Sequence, residues 1–130
     1  MIQQVKMMTE QLITIETARL AKERGLTENG IVWLFYEENG RMFNNLEDTG
    51  DKDYICCTQD FLHSWLRKNH NMYLDIYIGH DENSIWWNVD IFPIEKGYNF
   101  ENLNDKDING ASYEEAYEFG LQEALKLIKI

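Results

Sequence analysis

Residues 72–93 read MYLDIYIGHDENSIWWNVDIFP, two stretches of alternating apolar and polar side chains with a polar turn between them. Such alternation is typical of strands that bury one face and expose the other. Residues 79–83 carry the turn, and Pro93 ends the second stretch because proline cannot donate to a strand ladder. The pattern predicts an antiparallel hairpin, with its core face formed by Leu74, Ile76, Trp87 and Val89.

Helices are predicted on both sides of this hairpin. The first spans about residues 59–69, with Thr58 as its N-cap and an apolar face. The second spans residues 113–128 and begins at a capping box, in which Ser112 is followed three residues later by Glu115. Its apolar stripe consists of Tyr113, Ala116, Tyr117, Gly120, Leu121, Ala124, Leu125 and Ile128.

Residues 58–128 are therefore expected to form a core in the order helix, strand, strand, helix. Tyr98 and Phe100 suggest a third, shorter strand before the last helix. Both helices should pack on the core face of the antiparallel sheet. Double-stranded-RNA-binding domains share this order of elements, but a fold alone does not imply a function.

The first 57 residues add a helix and a second hairpin. Residues 1–25 predict a helix that ends at Gly25, and the phase of its apolar positions leaves open a second helix start near Thr14. Residues 31–45 predict a hairpin around Asn39-Gly40, followed by an exposed loop over residues 44–53. With no linker in the pattern, we predict one α+β domain over residues 1–130.

The charge balance disfavours two classes of partner. Twelve Lys and Arg face 23 Asp and Glu, for a net charge of −11, so the protein should repel phosphate backbones and anionic lipids. Residues 1–6 lack the pattern of a secretory signal, so a cytoplasmic location is expected. The adjacent Cys56 and Cys57 are interpreted as free thiols in the core.

No motif predicts a metal, a cofactor or a catalytic residue. Residues 105–110 match the first half of a calcium loop, but Ala116 stands where the closing carboxylate belongs. His63, His70 and His80 lack the spacing of a helical zinc pair. Nucleophile and phosphate-loop motifs are absent from the sequence, although two carboxylates could still meet in the fold.

Two surfaces are candidates for binding. If one face of the sheet packs on the helices, the other displays aromatic side chains, a composition typical of interface centres. Its candidate binding residues are Tyr73, Tyr77, Trp86 and Asp90, together with Asp75, Asn88 and Phe92. The second surface is the acidic start of the last helix, with Glu114, Glu115 and Glu118. The alternative for the aromatic face is that the first hairpin or the N-terminal helix covers it, so that it forms a second layer of the core.

Several short motifs lie together between Thr58 and Ile128. They are Thr58-Gln59, Trp65-Leu66-Arg67, His70-Asn71, Tyr113-Glu114-Glu115-Ala116 and Gly120-Leu121-Gln122-Glu123-Ala124-Leu125. In these motifs the chain resembles a group of small uncharacterised proteins carried by phages, prophages and mobile elements of gut anaerobes. The motifs are core and capping residues, so the resemblance implies a fold and a genetic setting without implying an activity.

The sequence thus predicts an accessory protein of a phage or mobile element that acts by binding another protein, and its acidic charge favours a partner with a basic surface. Two alternatives stay open. One is an acidic mimic of nucleic acid that inhibits a host DNA-binding protein, and the other is a small enzyme with a carboxylate site. The oligomeric state is not indicated by any pattern.

Overall fold

A computed structural model gives the structure of residues 11–27, 34–44, 53–93, 101–102 and 112–128. The helices are α1 (Ile15–Glu23), α2 (Gln59–His70) and α3 (Tyr113–Leu127). The strands are β1 (Leu34–Tyr36), β2 (Met42–Asn44), β3 (Tyr54–Ile55), β4 (Met72–His80), β5 (Ile85–Pro93) and β6 (Glu101–Asn102). Both sheets are antiparallel, with the orders β2-β1-β3 and β4-β5-β6, which confirms the α+β class.

The hairpin predicted from residues 72–93 is present, with Leu74 opposite Ile91 and Ile76 opposite Val89. Leu74, Val89 and Ile91 are buried, and α2 and α3 pack on the strands that carry them. The predicted third strand is present as β6, which pairs with β5, whereas Tyr98 and Phe100 lie outside the described residues. The face chosen for the core is therefore confirmed.

Gly120 lies in close contact with the sheet on the apolar stripe of α3. A Cβ atom at this position would lie 2.7 Å from Val89 Cγ1 and 2.9 Å from Leu74 Cδ2. Contacts this short cannot be kept, so the absence of a side chain lets the helix lie directly on the strands. Leu121, Ala124 and Leu125 continue the same buried stripe.

We expect Gly120→Ala to lower the free energy of unfolding by about 1 to 2 kcal/mol. Alanine favours a helix by about 1 kcal/mol over glycine, but overpacking a core costs about 1 to 3 kcal/mol. Denaturation in urea followed by circular dichroism measures the net effect. An unchanged or raised midpoint would mean that Val89 and Leu74 move aside without cost.

The N-terminal helix is shorter than predicted. Thr14 is its N-cap, as the second possible start indicated, and the chain before it is extended. Leu12 bridges Thr58, and the Ile13 N–H donates to the Cys57 carbonyl over 2.9 Å. These bonds use backbone groups that a continuous helix would need, while the predicted residues before Gln11 lie outside the described part. Gly25 follows the helix with a φ of 103°, as expected of a left-handed cap.

The first hairpin turns at Asn39-Gly40 as predicted, with Phe35 opposite Phe43 and Gly40 at a φ of 90°. The sequence pattern missed β3, which pairs with β1 through Ile55 opposite Phe35. Two residues are too few to show alternation, so the sequence predicts no element at Tyr54–Ile55. Residues 45–52 of the loop predicted before them lie outside the described residues.

The core of the described residues joins all three helices. Its largest fully buried side chains include Ile13, Leu62, Leu66, Leu121 and Leu125. Cys56 and Cys57 are free and buried, which confirms their interpretation as core thiols, and burial raises the pKa of Cys57 to about 12. Among the helices described, none has the length and apolarity needed to cross a membrane.

Candidate binding site

The predicted aromatic face of the second sheet is open along β4. Tyr73 and Tyr77 are 44% and 38% exposed, and Asp75 between them is exposed as well. Phe92 lies opposite Tyr73 in the register and is 36% exposed. These side chains belong to the face that points away from the buried Leu74, so the alternation in the sequence placed them on the correct side.

The same face is covered in the middle of β5. Asn88 and Asp90 are only 6% and 8% exposed, and Trp86 is half-buried with its indole over Gly79. β5 is flanked by β4 and β6, and Asp90 lies opposite Asn102 of β6. Asp90 therefore does not present its carboxylate to a partner, and Trp86 presents only part of its ring. The predicted face is thus open along β4 and at Phe92, and covered at Asn88 and Asp90.

The acidic start of α3 also divides into two parts. Glu114 and Glu115 are exposed, whereas Glu118 turns inward and accepts hydrogen bonds. Its Oε2 accepts from the Thr14 N–H and the Thr14 hydroxyl, each over 2.9 Å, and from the Thr17 hydroxyl. The predicted acidic surface thus keeps Glu114 and Glu115 and loses Glu118.

Glu118 connects all three helices. Thr14 caps α1, so the carboxylate lies at the positive end of that helix, where negative charge is stabilising. Its other oxygen, Oε1, accepts from Gln59 Nε2 of α2 over 2.9 Å, and the same Nε2 donates to the Glu114 carbonyl over 2.9 Å. The buried Thr17 hydroxyl also accepts from Gln122 Nε2. This network is structural, since its donors are all supplied by the chain itself.

A second buried chain of hydrogen bonds joins α2, β4 and α3. The Leu74 N–H donates to His63 Nε2 over 2.9 Å, so Nε2 is unprotonated and Nδ1 carries the hydrogen. His63 Nδ1 then donates to the Tyr117 oxygen over 2.9 Å, and the Tyr117 hydroxyl donates to Asp60 Oδ1 over 3.0 Å. His63 thereby satisfies a backbone donor of β4, the outer strand of its sheet.

The ionisation of these groups follows from their burial. Desolvation, and next the charge of Arg67, lower the pKa of His63 to about 4, so the imidazole is neutral near pH 7. Burial and the hydrogen bond to Asp60 raise the pKa of Tyr117 far above its ordinary value. With both ring nitrogens occupied, His63 positions Tyr117 and has no lone pair left for proton transfer to a ligand.

A pocket of about 230 Å³ opens where the first turns of α2 and α3 meet. It is lined by Gln11, Thr58, Gln59, Asp60, Tyr113, Glu114 and Tyr117. Tyr113 is 42% exposed, and Tyr117 is 5% exposed. Their rings meet edge to face at 5.8 Å, and Trp87 supports Tyr113 from the sheet at 5.4 Å.

The pocket is adjacent to the open aromatic face. Burial raises the pKa of Tyr113, and the charges of Asp60, Glu114, Tyr73 and Asp75 raise it further. The ring of His63 meets that of Tyr117, which lines the pocket, edge to face with 5.7 Å between centroids. The ring of Tyr73 also contacts His63, with 5.2 Å between centroids. Through His63, the pocket and Tyr73 of β4 therefore lie next to each other.

Of the pocket residues, sequence reasoning selected only Glu114 as a candidate for binding. Tyr113 and Tyr117 belong to the apolar stripe of the last helix, and their spacing of four residues puts them on one helical face beside Glu114. Asp60 has no role in the sequence pattern beyond that of an acid in the first turn of its helix. The missing signal was the pairing of α2 with α3, which brings two first turns together and which no local pattern contains.

Metal ligands are not grouped in the part of the chain that the structure describes, where no cluster of three or more His, Cys, Asp and Glu could hold an ion. The half calcium loop at residues 105–110 lies outside that part. No protein-family model, no curated protein and no solved structure matches the chain.

Proposed function

We propose that this protein is an accessory protein of a phage or mobile element that acts in the cytoplasm by binding another protein. The observation that carries the proposal is the exposed aromatic face along β4, where Tyr73 and Tyr77 flank Asp75 and Phe92 lies across from Tyr73. Aromatic side chains are enriched at the centres of protein interfaces, where each buries a large area at a small entropic cost.

The partner is a protein with a basic contact surface. The chain has a net charge of −11. Asp75 is exposed within the aromatic face, and Asp60, Glu114 and Glu115 are exposed in the first turns of α2 and α3. Opposite charges speed association, whereas apolar contacts slow dissociation. A basic protein therefore gains from both parts of this surface.

The two alternatives receive less support. Mimicry of nucleic acid calls for a row of outward carboxylates, and Glu118 leaves that row to bind Thr14 and Thr17. Acid or base catalysis calls for a titratable group that can reach a substrate. His63 has both nitrogens bonded within the chain, so it does not supply such a group, and the carboxylates left for this role are those of Asp60 and Glu114 at the pocket.

Binding by the aromatic face is tested by Tyr77→Ala. The protein is first used to capture its partner from cells that carry it, and the purified partner is then titrated with each variant. We expect Tyr77→Ala to weaken binding at least tenfold, mainly through faster dissociation, because aromatic anchors are commonly hot spots. Surface plasmon resonance at several salt concentrations measures both rates.

Leu127→Ala is the matched control, since Leu127 is also exposed and lies on the last turn of α3. It should leave both rates unchanged, and both variants should keep the denaturation midpoint of the parent. If Tyr77→Ala binds the partner with full affinity, β4 is not part of the interface. Tight binding of the parent to duplex DNA or RNA at physiological salt would refute the proposed function.

A further inference from the structure

We infer that the pocket between α2 and α3 binds a guanidinium group, supplied by an arginine side chain of the protein partner. This inference rests on the proposed function and adds to it the chemistry of one contact. The pocket combines a volume of about 230 Å³ with two tyrosine rings and two carboxylates, those of Asp60 and Glu114. Tyrosine faces attract cations, and in a concave site the carboxylates act on the same group.

The charge of the lining selects a cation. Among the residues that line the pocket, none is Lys, Arg or His. The two helix starts that meet here already have internal acceptors, because the Thr58 hydroxyl accepts from the Phe61 N–H and the Ser112 hydroxyl accepts from the Glu115 N–H. With acidic residues in both first turns, an anion would meet electrostatic repulsion at this site.

The two acids lie on different helices whose first turns are bonded to each other. Asp60 uses one oxygen, Oδ1, to accept from Tyr117, which leaves Oδ2 to face a ligand. Gln59 donates to the Glu114 carbonyl and so ties the first turn of α3 to α2. Because the backbones that carry both acids are joined by these bonds, binding a cation requires little reorganisation.

A planar guanidinium suits this arrangement better than an ammonium group. It stacks on an aromatic face and still directs N–H donors outward in its plane, so it can contact Tyr113 and reach Asp60 and Glu114 together. An ammonium group is compact and strongly hydrated, and it gains less from carboxylates on separate walls. Because His63 contacts both Tyr117 of the pocket and Tyr73 of β4, one partner can reach the pocket and β4 together.

N-acetyl-arginine amide is the probe, titrated into the isotopically labelled full chain and followed by NMR. The matched control probe is the citrulline counterpart, which has a similar shape without the charge. We expect saturable shifts at Gln59, Tyr113, Glu114 and Tyr117, with a dissociation constant on the order of millimolar, and no such response to citrulline.

Two glutamates of one helical turn provide matched variants. Glu114→Gln should weaken binding of the arginine probe about threefold to fivefold, the effect of losing one exposed ion pair. Glu115→Gln removes the same charge from the neighbouring residue, which does not line the pocket, and should change affinity less than twofold. Glutamine at this position keeps the capping box.

Several results would overturn the inference: equal binding of citrulline, no saturable shift, or equal weakening by Glu115→Gln. Binding of N-acetyl-lysine amide as tight as that of the arginine probe would refute the preference for guanidinium. Tyr77→Ala should leave probe affinity unchanged because Tyr77 does not line the pocket. A protein that binds the arginine probe but no protein partner would refute the proposed function and leave the pocket intact. A protein that binds its partner but not the probe would refute the pocket inference and leave the proposed function intact.

Discussion

Replacing Glu118 by alanine is expected to lower the free energy of unfolding by about 3 to 5 kcal/mol, because its carboxylate accepts from four donors on two other helices. A hydrogen bond to a charged group contributes about 1.5 to 3 kcal/mol, and the contributions within one network do not add fully. The Thr14 N–H would lose its acceptor at the start of α1. Denaturation in urea, monitored by tryptophan fluorescence, measures the loss.

The matched control for this variant is Glu114→Ala, since Glu114 lies on the same helix with an exposed carboxylate. Its effect should stay within about 0.5 kcal/mol. The loss in free energy of unfolding for Glu118→Gln should fall between those of the two alanine variants. The amide oxygen of the glutamine can still accept a hydrogen bond, but its NH₂ group would face another donor, that of either Thr14 or Gln59. A loss below about 1 kcal/mol for Glu118→Ala would show that the network contributes little to the stability of the fold.

The role of Glu118 illustrates what the sequence contains and what it hides. Glu118 precedes Leu121 by three residues and Leu125 by seven, so it borders the buried stripe of α3, and this spacing was available. The hydrogen-bond donors that make its burial favourable could not be identified from the sequence, because Thr14 and Thr17 lie about 100 residues away in the chain. An acid beside two exposed acids was therefore expected on the surface.

The second half of the fold was predictable because its signals are local. Alternation set the two long strands, and Thr58 and Ser112 marked the two helix starts, where the structure has both caps. The short strands β3 and β6 depend on pairing with β1 and β5, and two-residue strands carry no period of their own. The burial of Asp90 likewise depends on neighbouring strands and not on the alternation of β5.

One residue that lines the pocket, Tyr117, also contributes to the stability of the fold. Tyr117 lies in the lining of the pocket and at the centre of the chain from His63 to Asp60, so the bonds that hold α2, β4 and α3 together also fix an aromatic wall. A preformed wall reduces the entropy that binding must overcome. The protonation state of His63 should therefore affect stability and, through Tyr117, the shape of the pocket.

The free energy of unfolding is expected to fall by about 3 kcal/mol between pH 6.5 and pH 4 through His63 alone. Its pKa is lowered from 6.5 to about 4 in the folded protein, chiefly by burial and then by the charge of Arg67, with Asp60 acting in the opposite direction. Between these values the unfolded chain binds the extra proton, so the stability from His63 is complete above about pH 6.5 and is lost as the pH falls towards 4. Each unit of pKa difference corresponds to about 1.4 kcal/mol.

His63→Gln isolates this contribution, because a glutamine oxygen can accept from the Leu74 N–H and does not titrate. Urea denaturation of both proteins at intervals from pH 7.5 to pH 4 gives two curves, and the carboxylates that the two proteins share contribute to both. We expect the parent to be more stable at pH 7.5 and the difference to shrink by about 3 kcal/mol towards pH 4. Parallel curves would mean that His63 has an ordinary pKa, in which case the bond from Leu74 to its ring would not persist in solution.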